Sequence, residues 1–128
     1  MKYTVHAERD SVCMGDDCTA PNSAELEYFP HQTLSLFLSD TVSGYVPKIG
    51  DSVWAVSNGG KIIGYIIFDE NGSCACEIVG SDIPVSELDT GGLFCRYFYQ
   101  GAAGLDSYKY TGCASLIDKV KKYYADMM

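Results

Sequence analysis

The residues of this sequence best suited to chemistry lie near its start. In "RDSVCMGDDCTAPN", residues 9–22, Cys13 and Cys18 bracket the adjacent Asp16 and Asp17, with Asp10 just upstream. Three uses fit these side chains. Carboxylates of Asp10, Asp16 and Asp17, joined by Glu8 and His6, are oxygen-rich enough for a hard cation such as calcium or magnesium, although the ordered D-x-[DN]-x-[DN]-G alternation of a calcium loop is missing. Thiolates of Cys13 and Cys18 with His6 or His31 suit zinc, but no C-x-x-C pair occurs anywhere in the chain. The expectation is therefore no bound metal and no cofactor. The third use needs no ligand set: Glu8, Asp10, Asp16 and Asp17 form an acidic surface for a basic partner.

Nucleophilic chemistry has one local argument. If Thr111 caps the last helix, Cys113 lies in its first turn, where the helix dipole favours the thiolate. If Ser115 caps instead, with Asp118 three residues on, that argument disappears. The sequence holds no G-x-S-x-G, no H-E-x-x-H, no phosphate-cradling glycine loop and no dinucleotide fingerprint.

Composition narrows the field further. A chain of 128 residues with 47% apolar and 20% charged side chains is expected to fold as a single domain with an adequate core. No apolar run approaches the roughly 20 residues of a membrane span, and "MKYTVHAERD" places ionisable groups where a secretion signal needs its apolar centre. The expected compartment is the cytoplasm, with the six cysteines reduced. A net charge of -8 argues against binding nucleic-acid phosphates. From Glu8 to Glu27 six carboxylates face Arg9 alone, a local negative pole. That pole favours a protein-binding module docking a basic protein, as inhibitor and immunity proteins do on the positively charged active sites of toxic nucleases. The alternative is a small enzyme or metal-binding domain using Cys113 or the cluster of His6, Asp10, Asp16 and Asp17.

These residues need elements to position them. Residues 2–9 alternate Tyr3, Val5 and Ala7 against Lys2, Thr4, His6 and Glu8, which predicts a strand with His6, Glu8 and Asp10 on its wetter face. Residues 10–32 show no convincing period and predict a long acidic loop. Leu34, Phe37, Leu38, Val42 and Tyr45 follow helical spacing behind Thr33 as cap, with Pro47 beyond the end. "SVWAVS" and "KIIGYIIF" flank Asn58-Gly59-Gly60, and "CACEIV" follows Asn71-Gly72, so a three-strand meander is expected at the centre of a sheet. Gly64 within "KIIGYIIF" marks a bulge or the close approach of a helix. "DIPVSELD" predicts a short helical turn capped by Asp82, "LFCRYFYQ" another strand, and "SLIDKVKKYYADMM" a second main helix. The expected architecture is α+β: four to five mostly antiparallel strands with two main helices packed on one face.

Overall fold

A computed structural model describes residues 3–10, 23–69, 71–89, 91–99 and 116–126. They form one six-stranded sheet: β1 (Tyr3–Arg9), β2 (Ser23–Tyr28), β3 (Ser52–Asn58), β4 (Lys61–Phe68), β5 (Cys74–Ile78) and β6 (Leu93–Tyr99). The spatial order is β2-β1-β6-β3-β4-β5. All neighbours are antiparallel except β1 and β6, which run parallel with Ala7 beside Leu93. The expected four to five strands are thus corrected to six in a mixed sheet.

The added strand is β2, inside the stretch read as a loop. "SAELEY" alternates Ala24, Leu26 and Tyr28 with Ser23, Glu25 and Glu27, and its burial alternates in the same way. Two of its three outward positions are glutamates, which are poor strand formers and obscured the period. The meander β3–β4–β5 forms as predicted, and Gly59 (φ 60°) and Gly60 (φ 83°) supply the left-handed backbone of its first turn. It makes one half of the sheet rather than the centre, with β5 at the margin.

The helices depart from expectation in two ways. The segment 34–45 is not a regular three-turn helix: short α-helical pieces, Leu34–Phe37 and Ser43–Tyr45, flank a π turn over Leu38–Val42. Its polar residues compete for backbone groups, with the Ser39 and Ser43 hydroxyls donating to the carbonyls of Leu36 and Ser39. Leu116–Asp126 is the one regular α-helix among the described residues. The two segments lie on opposite faces of the sheet, not on one.

Alternation along β3 explains this. Trp54 and Val56 point to one face and pack with Leu34, Phe37, Leu38 and Val42. Val53 and Ala55 point to the other and pack with Val120, Ile117 and Tyr124. A strand covered on both faces reads as an unbroken apolar run, as "VWAV" does. The segment 34–45 touches both margins of the sheet, β2 and β5, so the sheet curls around it as a half-barrel. Gly64 makes this closeness possible: a Cβ there would stand 2.6 Å from Leu38 Cδ1 and 2.8 Å from the Glu77 carbonyl oxygen. The bulge expected at this glycine is present as well, since Val56 faces Gly64 while Ser57 faces Ile62.

Asp82 caps a different element from the one expected. Its carboxylate accepts from the Ser35 amide (2.9 Å) and the Ser35 hydroxyl (2.6 Å), closing the start of segment 34–45 from across the chain. Thr33 occupies the cap position without a side-chain bond to the backbone. Among the described residues, no helix is long and apolar enough to cross a membrane.

Candidate functional site

The antiparallel register of β1 on β2 sets Thr4 beside Glu27, His6 beside Glu25 and Glu8 beside Ser23. All six residues are exposed and share one face of the ladder. Behind them, Ala7, Leu26 and the half-buried Val5 and Ala24 turn into the core under segment 34–45. The site is therefore an exposed acidic surface on the β1–β2 ladder, beyond the part of that face that the 116–126 helix covers.

His6 is the basic member of these six described residues. Nδ1 donates to Glu25 Oε1 at 2.6 Å, and Nε2 stands 3.8 Å from Glu8 Oε1. The hydrogen bond to Glu25 raises the imidazole pKa above its ordinary 6.5, and the charges of Glu25 and Glu8 add to the effect against a small desolvation penalty. A shallow cleft of about 360 Å³ beside it is lined by His6, Glu25, Ser86 and Asp89. With both ring nitrogens facing carboxylates, His6 is held toward its cationic form, the opposite of what a general base for Ser86 requires.

The candidates read from the sequence separate here. His6 and Glu8 share the face, as the alternation of β1 predicts. Asp10 is engaged elsewhere: its amide donates to the Cys95 carbonyl at 3.0 Å, and its carboxylate accepts from the Tyr97 amide at 2.9 Å, extending the parallel β1–β6 pairing. Asp16, Asp17, Cys13, Cys18 and Cys113 lie outside the described residues. Glu25 and Glu27, absent from the sequence-based site, complete the face, and the alternation of "SAELEY" is the signal that could have found them. The pairing of His6 with Glu25 depends on strand register, which no local pattern encodes.

The remaining reactive groups among the described residues are quiet. Among the described residues, no three His, Cys, Asp or Glu side chains gather as a metal-ligand set. Cys74, Cys76 and Cys95 are free thiols. Burial pushes Cys95 up to about 12, and burial together with the neighbouring Cys74 does the same to Cys76, so both stay protonated near neutrality. Arg9 turns inward from β1, buried, with its guanidinium 5.9 Å from the centre of the Tyr45 ring.

No protein-family model matches the chain, and comparison with curated proteins and with solved structures gives no significant match.

Proposed function

We propose that this chain is a protein-binding module that docks a basic protein partner on the acidic face of β1 and β2, in the manner of small inhibitor and immunity proteins. One observation carries the reading: the strand register gathers three carboxylates, Glu8, Glu25 and Glu27, around His6 on one exposed ladder face. The face is turned away from segment 34–45, on the outside of the sheet's curl rather than in its hollow, which suits a macromolecule better than a small substrate. Asp16 and Asp17, in the connection between the two strands, extend the same negative run in the sequence. Charges of this kind raise association rate and select the sign of the partner more than they add affinity.

The test is a triple variant, Glu8→Gln, Glu25→Gln and Glu27→Gln, compared with the wild-type chain. A basic protein recovered with the wild type and then purified should associate with the variant about tenfold or more slowly at low ionic strength, because exposed charges steer over roughly 8–10 Å of screening length. Raising the salt should close the gap. Equal association rates at low salt, or capture of acidic proteins alone, would overturn the reading.

A further inference from the structure

β2 ends the sheet, and among the described residues nothing pairs with its outer edge. Every second residue of such a strand directs its N–H and C=O away from its neighbour. A groove of about 600 Å³ runs here, lined by Tyr3, Thr41 and the consecutive residues from Glu25 to Pro30. Consecutive lining residues belong to a strand's edge, since one face would supply only alternate ones. The groove is also apolar at its end: Phe29 is 76% exposed and Tyr3 41%.

We infer that this edge takes up an extended basic segment of the partner as a seventh strand, with Lys or Arg beside Glu25 and Glu27 and apolar side chains beside Leu26 and Tyr28. The inference rests on the proposed function and adds the mode of recognition. Side chains of an added strand alternate between the two faces, and so do those of β2. The outer set meets carboxylates, and the inner set continues the apolar row of Ala24, Leu26 and Tyr28. A second copy of this chain is the wrong occupant on charge grounds. Two β2 strands side by side would bring Glu25 and Glu27 of one against those of the other, a like-charge contact that natural edges use to prevent self-pairing.

The probe is an acetylated, amidated octapeptide alternating Lys and Val, titrated into the intact chain at low salt and followed by amide chemical shifts. Binding should perturb residues 23–30, and a Glu-Val peptide should leave them unchanged. Two further Lys-Val peptides carry N-methyl groups on either the odd or the even residues. One of these registers should bind roughly tenfold or more weakly and the other should match the parent, because only one set of amides faces β2. The charge-reversed variant Glu25→Lys with Glu27→Lys, its fold checked by circular dichroism, should exchange the Lys-Val preference for Glu-Val. If both methylated peptides bind like the parent, the acids act without the strand edge; the inference fails while the proposed function stands. If no Lys-Val peptide binds, the inference fails too, and the triple glutamine variant then shows whether the proposed function fails with it. Concentration-dependent dimerisation lost in the charge-reversed variant would install a second copy as the occupant and overturn the assignment.

Discussion

Asp10 marks where the acidic stretch of sequence stops being surface and becomes scaffold. Its carboxylate oxygen accepts from the Tyr97 amide, so the side chain serves as a backbone acceptor in the β1–β6 ladder. Asparagine keeps such an acceptor and alanine does not. Asp10→Ala should therefore lower stability by about 1–2 kcal/mol in urea unfolding, and Asp10→Asn by much less. Gly64 gives a second contrast at this scale. Gly64→Ala would drive a methyl into Leu38 and the Glu77 carbonyl, whereas Gly44, also in a regular element, has open space around its Cα. Overpacking of this kind costs about 1–3 kcal/mol, so thermal melts should show Gly64→Ala clearly destabilised and Gly44→Ala neutral or stabilised. "IIGYII" announced a bulge or a close approach, because a glycine amid β-branched residues packs nothing itself, and the structure has both. Nothing local announced that Asp10 would bond across to β6.

The β1–β2 hairpin carries a pH dependence of its own. Protonated His6 gains Glu25 as a partner, so its folded pKa lies above the ordinary value. That contribution is fully present below about pH 6.5 and is lost as pH rises through the folded value. The pair is half exposed, so the effect belongs to the hairpin and is small for the whole molecule. Amide exchange in β2 should speed up from pH 6 to 8, after correction for the intrinsic rate, more in the wild type than in His6→Gln. Binding should follow the opposite trend: losing the His6 charge makes the face more negative, so a basic partner should associate faster above this transition than below it. At this level the sequence was readable where turns are local. Asn-Gly dipeptides marked both bends of the meander. β2 escaped because it lacks β-branched residues, and the cap role of Asp82 escaped because its target, Ser35, is remote in sequence.

At the scale of the whole molecule, the sheet has two cores of unequal size. The one under segment 34–45 contains Phe37, Leu38, Trp54 and Phe68, and the one under the 116–126 helix contains Val53, Phe98 and Val120. Truncating Phe37 to alanine should cost about 3–5 kcal/mol and Val120→Ala about 2 kcal/mol, read from denaturant midpoints at unchanged slope. The assignment of helices to opposite faces was latent in "VWAV", whose unbroken apolar run needs a cover on each side.

The parallel pairing of β1 with β6 also governs the order in which the molecule can assemble. β1 with β2, and β3 with β4 and β5, are each closed by neighbouring residues of the chain, but the two blocks have no contact within the sheet except through β6, which is made after all of them. During synthesis each block waits with an open inner edge, and the register tying Ala7 to Leu93 is a long-range closure of the kind that slows folding. β6 acts as a zip drawn late between two finished halves. Until it is drawn, β1 and β3 are the surfaces on which a nascent chain is most exposed to mispairing and has most need of a chaperone.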